Sequence, residues 1–584
     1  MSHQSENATR LPIAITQIDT IPDLFNHIRR GESVHLLRLP IEEGQIEGLQ
    51  AVMEQVAQWL GEQSVLIVVG DVLDLVQVHT GLENDLFYKH WITIQQSAMA
   101  VPSRTALPHR HFGALVYTPT LEGLIHTTTR IGYTYCPVCD KTTKDYGGKK
   151  HTYHEFGTAI SDVWRDIEID PHGDWTMLYE RFADLFGIHP YTSLNVLDMR
   201  DTGFIHVPSL RQHYQEAPLT ALPSQLIHGD CLESLRQLPS NSVDFIFTDP
   251  PYNLKKKYAS YADDLEITDY FRWCDEWLSE LARVLKPGGT VALLNIPLWT
   301  IRHFVHLQTI LDYQNWIVWD ALAYPVRRIM PAHYSIVCFS KGTPRSLPGL
   351  VEPCPEDEHW LRPLAENYCI RAACINDRHR RRISDRAMLT DVWGDLHRLK
   401  HNSRRVDHPT QLPPTLMYRL ISLFTYAGET VLDCFNGSGT TTLTAHQLGR
   451  GYVGIEQAAA YYDLTVQRHR EIEMGIDPFR KEERALTAKN SPVARMPKQN
   501  YKVPKKTLQM EVKRVAELLG HIPSRDELAE HTRYPVQYYD QYFVGWGEVT
   551  AAARTTGMSE SRNGHPSPNA EQLRLFEKQE SFSD

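Results

Sequence analysis

The stretch VDFIFTDPPYNL, from Val243 to Leu254, decides the fold of this chain. The residues before Asp249 have apolar, strand-like character and predict a buried parallel strand. Pro250 and Pro251 cannot continue a strand, so the strand ends here in a rigid loop. Open α/β sheets carry their chemistry at the carboxyl ends of parallel strands, and we therefore expect a functional loop at this point.

The loop offers a carboxylate, a proline-locked carbonyl and an aromatic face. Asp249 and the Pro250 carbonyl can accept the two N–H hydrogens of an exocyclic amine, and Tyr252 can stack on the ring that carries it. This set suits a planar substrate with an amino group. A strand-ending turn without chemistry is the alternative, so other parts of the chain must decide.

A second motif lies in VLDCFNGSGTTTLTAHQLGRGYVGIE, residues 431–456. It predicts a strand, a tight glycine turn, a helix and a second strand that ends at Glu456. Glycines let the backbone approach a ligand closely, and an acidic residue about 20 positions further on can reach ribose hydroxyls. Glu456 lies 23 residues after Asp433. The turn does not match the GxGxxG spacing of a NAD site.

DPPY followed by Asn-Leu resembles motif IV of the amino-methyltransferases, which methylate adenine N6 or cytosine N4 in DNA. The FNGSG turn with its later glutamate resembles the S-adenosylmethionine site of that family. HPTQLP, residues 408–413, resembles the family's HPTQKP, with Leu412 where lysine is common. The order DPPY, basic region, HPTQ, FNGSG is the circularly permuted β-class arrangement, and the resemblance covers residues 223 to about 470. It implies a Rossmann-like α/β fold that uses S-adenosyl-L-methionine.

The resemblance also implies the site residues. The catalytic set is Asp249, Pro250, Pro251 and Tyr252. The cofactor set is Asp230, His408, Thr410, Asp433, Phe435, Asn436, Gly437, Gly439 and Glu456. Asp230 would lie near the cofactor adenine, and it is equally suited to cap the helix that follows it. The family more often pairs Asp in DPPY with adenine and Ser in SPPY with cytosine, which favours adenine N6 and leaves cytosine N4 open.

Contacts to double-stranded DNA must come from local basic patches, because the net charge is −11. The densest patch lies in a Pro-rich and then basic insertion at about 343–407, where the family has its target-recognition region. Phosphates are the natural partners of these arginines, and a solvated surface is the alternative. The predicted DNA-binding residues are Lys255, Lys256, Arg380, Arg381, Arg382, Arg404 and Arg405.

The first part of the chain echoes the second. SVLIVVGDVLDLV (64–76) resembles GTVALLNIPLWTI (289–301), and ISDVWRDI (160–167) resembles LTDVWGDL (389–396), in the same order. We infer a duplication in which residues 1–215 form a degenerate methyltransferase-like half. This half shows no DPPY, and RDTG (200–203) stands where the glycine turn would be. It is therefore predicted to be an inactive scaffold or DNA clamp, with chance similarity as the alternative.

Cys136 and Cys139 have a spacing found among zinc ligands. His151 and His154 would complete four ligands. Alternatively, Cys369 and Cys374 would do so if the two halves pack about a pseudo-twofold axis. Such a zinc would be structural, since methyl transfer needs no metal, and a CxxC pair without metal is the other interpretation.

The remaining boundaries follow from composition. Residues 216–471 are predicted to form the catalytic domain, 472–508 a basic linker, 509–560 a small helical domain and 561–584 a disordered tail. The helical segment resembles the repeat that accompanies homing endonucleases, through PSRDEL (523–528) and FVGW (543–546). This implies a DNA contact, with a small helical cap as the alternative.

The chain shows no run of about 18 apolar residues, so no membrane partner is expected. Its start lacks a signal-peptide pattern, and nine irregularly spaced cysteines predict a reduced, cytoplasmic protein. We expect a site-specific DNA methyltransferase of restriction-modification or phage defence, with separate restriction or defence subunits as candidate partners. The rivals are an RNA or protein-glutamine methyltransferase, a catalytically inactive DNA-binding scaffold, and a fused restriction enzyme, for which no nuclease constellation is visible.

Overall fold

A computed structural model gives the fold of the chain. It describes residues 10–479 and 503–554, except for 29–32, 43, 98–102, 123, 125, 128, 137, 144–156, 188–190, 209–217, 254–264, 322–328, 352–360, 366–368, 370, 397–410 and 504.

The first half of the chain alternates strands and helices. In chain order they are β1 (Ile13–Gln17), α1 (Ile21–His27), β2 (Val34–Arg38), β3 (Gln45–Ile46), α2 (Leu49–Trp59), β4 (Val65–Gly70), α3 (Val72–Leu82), β5 (Phe87–Gln96), β6 (His111–Thr118), β7 (Arg130–Ile131), β8 (Tyr135–Cys136), β9 (Lys141–Thr142), β10 (Thr158–Ala159), β11 (Val163–Ile169), α4 (Thr176–Leu185), β12 (Leu194–Asp198) and β13 (His206–Val207).

The second half repeats this alternation and is followed by five helices. Its elements are β14 (Gln225–His228), α5 (Cys231–Gln237), β15 (Val243–Thr248), α6 (Ile267–Val284), β16 (Leu285–Asn295), α7 (Pro297–Leu307), β17 (Asp312–Asp320), β18 (His333–Ser340), α8 (Pro348–Val351), α9 (Ala372–Arg380), β19 (Val392–Trp393), α10 (Pro414–Phe424), β20 (Thr430–Asp433), α11 (Thr440–Gln447), β21 (Gly451–Glu456) and α12 (Ala459–Glu473). The last helices are α13 (Lys505–Leu519), α14 (Arg525–His531), α15 (Val536–Tyr542), α16 (Trp546–Val549) and α17 (Ala551–Arg554).

Each half is built on one large sheet, and the two sheets share one design. The strand order is β1-β12-β2-β4-β6-β5-β11 in the first half and β14-β21-β20-β15-β16-β18-β17-β19 in the second. In both, a block of parallel strands is followed by an antiparallel pair and a last short strand that pairs in parallel. The predicted α/β class is confirmed for both halves.

The two sheets differ at one position that matters for function. In the second sheet β21 lies between β14 and β20, whereas in the first sheet β1 pairs directly with β12. Among the residues that the structure describes, no strand of the first sheet takes the place of β21. The strand that ends at Glu456 therefore belongs to the second half alone.

The sheets are covered on both faces, as expected for strands with continuous apolar runs. Along β4, Leu66 and Val68 belong to one hydrophobic cluster, while Ile67 and Val69 belong to another. The first of these clusters continues into the second half through α6 and α7. The two halves thus share one continuous core.

Equivalent residues of the two halves meet at their boundary. Trp91 lies opposite Leu115 in the β5–β6 hairpin, and Trp316 lies opposite Val337 in the β17–β18 hairpin. The rings of Trp91 and Trp316 stack with centroids 4.9 Å apart and an interplanar angle of 15°. This contact between equivalent positions is what a pseudo-twofold axis produces.

The two DVW segments cross this boundary in the same way. Asp162 of the first half accepts the N–H groups of Ala332 and His333 at 2.8 and 3.1 Å. Asp391 of the second half accepts the Arg110 N–H at 2.8 Å and bonds His109 Nδ1 at 2.8 Å. Each aspartate therefore holds the start of the other half's hairpin strand.

His109 lies between two carboxylates, Asp391 and Asp71, the latter 3.3 Å from Nε2. Burial would lower the pKa of His109, but the two carboxylates outweigh it and raise the pKa to about 10. Burial acts to raise the pKa of Asp391, yet His111 and His109 hold this pKa below its usual range. The charged pair therefore contributes to the boundary at neutral pH.

We expect the variant His109→Gln to be less stable than the parent by about 2 kcal/mol near pH 6, because it removes one of the two histidines beside the buried Asp391 carboxylate and the histidine partner of Asp71. An unfolded histidine titrates near pH 6.5, so this contribution is complete below that pH and is lost as the pH rises towards about 10. Urea unfolding of both proteins at several pH values measures the difference. A difference that does not shrink with rising pH would contradict the ion pair, and the half-exposed His27→Gln serves as control.

The C-terminal helices form a unit with its own hydrophobic core. Ser524, in PSRDEL, caps α14 through a reciprocal capping box with Glu527. The Trp546 indole N–H donates to the Pro523 carbonyl at 3.2 Å, so the FVGW turn closes onto the PSRDEL segment. In the part of the chain that is described, no helix has the length and apolar character needed to cross a membrane.

Candidate functional site

Four parallel strands of the second sheet place acidic residues at one edge. β14, β21, β20 and β15 are consecutive neighbours, and all four run in the same direction. Their carboxyl ends lead into Asp230, Glu456, Asp433 and Asp249 respectively. Because the ends of parallel strands meet at the same edge, the two predicted motifs come together here.

The DPPY loop follows β15 directly and is fixed by hydrogen bonds. The Tyr252 hydroxyl donates to Asp249 Oδ1 at 2.8 Å. The Tyr270 hydroxyl of α6 donates to the Pro251 carbonyl at 2.8 Å, and the Trp299 indole N–H of α7 donates to the Tyr252 carbonyl at 2.9 Å. Two helices therefore hold the loop in one conformation.

Asp249 is partly exposed, whereas Tyr252 is buried. A carboxylate offers about four lone-pair sites, so Asp249 can accept an amine hydrogen beside the Tyr252 hydroxyl. The structure thus places the predicted acceptor at the open edge of the sheet, with the predicted stacking ring next to it.

The glycine turn between β20 and α11 is tied to β21 by Glu456. The Glu456 carboxylate accepts the N–H of Gly437 at 2.8 Å and of Ala458 at 2.7 Å. Gly439 has φ +84°, and a Cβ at this position would lie 2.6 Å from Thr465 Cγ2. Only glycine fits there without a shift of the backbone or of Thr465.

Asp433 anchors the same turn from β20. Its carboxylate accepts the Phe435 N–H at 3.0 Å and the Thr441 hydroxyl at 2.6 Å. Burial and, to a smaller extent, the nearby Asp249 and Glu456 carboxylates raise the pKa of Asp433 to about 7, although these hydrogen bonds act to lower it. Burial also raises the pKa of Glu456. Negative charge is therefore concentrated here at a cost, and a positively charged ligand would relieve it.

Two other predicted cofactor residues build the walls of the turn. Phe435 packs against Trp273 and Trp277 of α6, with ring centroids 5.8 and 5.3 Å away. Asn436 is buried and accepts the Thr442 hydroxyl at 3.0 Å. These contacts hold the turn in shape, and direct cofactor contacts of both residues stay a prediction.

Asp230 acts as the N-cap of α5. Its Oδ1 accepts the N–H groups of Leu232 and Glu233 at 2.9 and 3.1 Å. The preceding Gly229 N–H donates to the Glu456 carbonyl at 3.1 Å. The capping role is thus present, and the residue also lies beside the end of β21, where the cofactor adenine is predicted.

Part of the predicted cofactor and DNA-binding set lies outside the described residues. His408, Thr410, Lys255, Lys256, Arg404 and Arg405 lie outside the described residues. Arg380 and Arg381 lie at the end of α9, are mostly exposed and pair with Asp377 at 3.2 and 2.9 Å. Arg382 follows them, is exposed and has φ +53°. These three arginines form an exposed basic helix end.

The four predicted metal-ligating cysteines lie together. The Sγ atoms of Cys136 and Cys374 are 4.0 Å apart, and those of Cys139 and Cys369 are 3.9 Å apart. His151 and His154, the other candidates, lie outside the described residues.

Sequence reasoning missed several residues that shape the site. Tyr270, Trp299 and Thr441 each bond a predicted site residue from a different helix. Their positions follow from tertiary contacts that no local spacing encodes. Only the amphipathic pattern of α6, which follows the DPPY loop, gave a signal that this helix packs nearby.

The matching edge of the first sheet is built differently. Leu39 and Pro40 follow β2, where Asp249 and Pro250 follow β15. At the end of β12, Asp198 is paired with Arg200 at 2.8 Å and with Arg38 at 3.5 Å. Among the residues described at this edge, no carboxylate stands where Asp249 stands in the second sheet, and Asp198 is paired with arginines.

Parallel strands that end in a glycine turn, an acid beside that turn and a rigid DPPY loop define the class: a Rossmann-like α/β methyltransferase fold. Comparison with known families agrees. Residues 243–467 match the family described as DNA methylase, of the N6/N4 type, and residues 503–553 match the homing endonuclease associated repeat. The second half is thus similar to that DNA methylase family over these residues, and the C-terminal helices are similar to the repeat. Both predicted resemblances are confirmed.

Several curated proteins are similar to the methylase region. The type II methyltransferase M.BamHI of Bacillus amyloliquefaciens is 34% identical over 242 residues, which cover 40% of this chain and 54% of that protein. M.HpaI of Haemophilus parainfluenzae is 28% identical and covers 42% of this chain and 74% of that protein. The chain therefore spans about half the length of M.BamHI.

Solved structures also resemble this region. The complex of M1.HpyAVI with SAM is 21% identical and covers 42% of this chain and 97% of that chain, with a TM-score of 0.29. The cytosine-N4-specific PvuII DNA methyltransferase is 18% identical and covers 42% of this chain and 86% of that chain, with a TM-score of 0.31.

Proposed function

We propose that this chain transfers a methyl group from S-adenosylmethionine to the exocyclic N6 of adenine in double-stranded DNA. The observation that carries the proposal is the Asp249 carboxylate, fixed by the Tyr252 hydroxyl at 2.8 Å on the sheet edge where the Glu456-bound glycine turn lies. Asp249, which would accept a hydrogen of the substrate amine, and the glycine turn, which would bind the cofactor, thus follow neighbouring strands. Asp in DPPY favours adenine, and cytosine N4 is the alternative base.

The target base must leave the duplex to reach this edge, which costs a few kcal/mol. Asp249 and the Pro250 carbonyl would each accept one amine hydrogen, which aims the nitrogen lone pair at the methyl group. Tyr252 would stack on the flipped ring. S-adenosylmethionine would supply the methyl group for the new N–C bond and leave as the neutral thioether, and Asp249 would accept the surplus amine proton. Positioning the two reactants in line supplies most of the rate.

The cofactor would lie across the glycine turn. Gly437 and Gly439 let the backbone of the turn approach the cofactor closely. The Glu456 carboxylate has lone pairs left to accept hydrogen bonds from the ribose hydroxyls. The sulfonium and ammonium groups would offset the negative charge of Asp433, Glu456 and Asp249. His408 and Thr410 are proposed to contact the methionine end.

The first half, predicted as residues 1–215, is proposed to be an inactive scaffold. Among its described residues, no strand of its sheet takes the place of β21, and Arg38 and Arg200 pair with Asp198 at the end of β12. It shares a hydrophobic core with the catalytic half, and the hairpins of the two halves pack together, so its position relative to that half is fixed. It could then act as a clamp on DNA beside the active edge.

DNA contacts are proposed for the exposed arginines at the end of α9 and for the C-terminal repeat. Arg380, Arg381 and Arg382 suit backbone phosphates, which fix position rather than sequence. The repeat folds around its own core, so it can act as a second module on the same duplex.

Deleting residues 503–554 should weaken binding to duplex DNA by about tenfold, since phosphate contacts are lost, and the salt dependence should fall with it. Binding of S-adenosylmethionine should stay unchanged. Fluorescence anisotropy with labelled DNA at two salt concentrations measures the first effect, and calorimetry the second. Unchanged DNA affinity would show that the repeat is a structural cap.

A direct assay tests the proposed reaction. The purified chain is incubated with labelled S-adenosylmethionine and duplex DNA, and the digested nucleosides are identified by mass spectrometry. N6-methyladenine is expected; N4-methylcytosine would keep the mechanism and correct the base. Labelled RNA or labelled protein glutamine, with unlabelled DNA, would overturn the proposal.

The similarity to type II methyltransferases favours a role in restriction-modification, with a nuclease as a separate subunit. Phage defence is the alternative role.

A further inference from the structure

We infer that Cys136, Cys139, Cys369 and Cys374 form a tetrahedral zinc site that joins the two halves of the chain. Two ligands come from the first half and two from the second. The site lies outside the methyl-transfer machinery, and its role would be structural.

The distances between the sulfur atoms carry the inference. All four Sγ atoms lie within 4.8 Å of one another, and two separations between the halves are 3.9 and 4.0 Å. Four thiolates at about 2.3 Å from one zinc ion are about 3.8 Å apart. A disulfide would bring two sulfurs to about 2.05 Å. The spacing fits one shared ion and fits neither disulfides nor a larger polynuclear cluster.

The first pair of ligands lies on a small hairpin. Cys136 ends β8, which pairs with β9, and Cys139 lies in the turn between them. Asp140 closes the turn with φ +50°, and its carboxylate accepts the Tyr135 hydroxyl at 2.8 Å. The hairpin thus presents both thiols in a fixed geometry.

The second pair of ligands lies around the start of α9. Cys369 precedes the helix, and its carbonyl accepts a hydrogen bond from the Arg378 guanidinium at 3.0 Å. Arg378 is in turn paired with Asp385 at 2.8 Å. Cys374 lies in the first turn of α9 and is only 2% exposed. The backbone at both cysteines is therefore held by the Arg378 hydrogen bond and by the helix, without the metal.

Ligand chemistry selects the ion. Sets of four thiolates in tetrahedral arrangement bind zinc or iron–sulfur clusters, whereas hard cations take oxygen ligands.

A second group of metal-binding side chains, His109, His111 and Asp391, lies at the same boundary. In this group, Asp391 already accepts the Arg110 backbone N–H and bonds His109. These contacts account for the cluster without a metal ion.

A zinc ion here would link residues 230 positions apart, since Cys139 and Cys369 are separated by that distance. It would also fix α9, and with it the exposed Arg380, Arg381 and Arg382, against the first half. This consequence for DNA binding rests on the proposed function; the metal site itself does not.

Metal content of the full-length chain tests the inference. Protein purified without chelator should contain about one zinc ion per chain, as measured by inductively coupled plasma mass spectrometry. The double variant Cys369→Ser with Cys374→Ser should contain less than about a tenth of that. Cys231→Ser, which changes a buried cysteine elsewhere, is the matched control and should keep its zinc.

A second measurement protects the test against a variant that fails to fold. Unmodified protein stripped of metal and loaded with Co²⁺ alone should show a thiolate-to-cobalt charge-transfer band, which Zn²⁺ should displace. Absence of zinc as purified together with no cobalt band would overturn the site, as would equal zinc in the double variant. Zinc binding by a protein that methylates no DNA would leave this inference standing and overturn only the proposed function.

Discussion

The variant Asp249→Ala will lose methyl transfer and keep cofactor binding. Asp249 is the only side chain of the DPPY loop that can accept an amine hydrogen as a carboxylate, and Tyr252 already holds it in place. Without it the amine is no longer aimed at the methyl group. Loss of one such preorganised partner costs on the order of 10³-fold in turnover. Single-turnover transfer of labelled methyl groups to DNA measures this loss.

Asp201→Ala is the matched control for this experiment. Asp201 is an exposed aspartate on the corresponding edge of the first sheet, in the RDTG segment. If the first half is inactive, this variant will transfer methyl groups at the parent rate. Activity retained by Asp249→Ala would remove the catalytic assignment, and activity lost in Asp201→Ala would remove the claim that the first half is inert.

The variant Glu456→Ala will bind S-adenosylmethionine about 100-fold more weakly. Glu456 holds the glycine turn through the Gly437 N–H and ends the strand that should face the ribose. Its loss removes charge-assisted hydrogen bonds to both the turn and the ligand, and each of these is worth about 1.5–3 kcal/mol. Isothermal titration with the cofactor alone measures the change.

Glu473→Ala serves as control for this variant, because Glu473 is an exposed glutamate at the end of α12. Its affinity for the cofactor should equal that of the parent. A circular dichroism spectrum that matches the parent would show that Glu456→Ala is folded. Unchanged affinity in folded Glu456→Ala would place the cofactor elsewhere on the sheet.

The local part of the site could be predicted from sequence. β15 ends at Thr248, immediately before Asp249, because two prolines stop a strand wherever they occur. The FNGSG turn likewise falls between β20 and α11, since glycines with positive φ mark such turns. Both motifs encode their structure within a few residues.

The remaining contacts depend on how distant segments pack. Nothing near Trp299 in sequence indicates that its indole N–H bonds the Tyr252 carbonyl. The exchange of Asp162 and Asp391 between the halves also depends on the shared core. The cysteines illustrate the middle case. The sequence left two ligand sets open, and only the packing of the two halves places the Sγ atoms of Cys136 and Cys374 4.0 Å apart.

The most direct test of the central claim is long-read sequencing of DNA from cells that express the protein, compared with cells that express Asp249→Ala. The account predicts a modified adenine in a fixed sequence motif, present with the parent protein and absent with the variant. No modified base with either protein, or the same modification with both, would contradict the claim that this chain is a DNA amino-methyltransferase acting through Asp249.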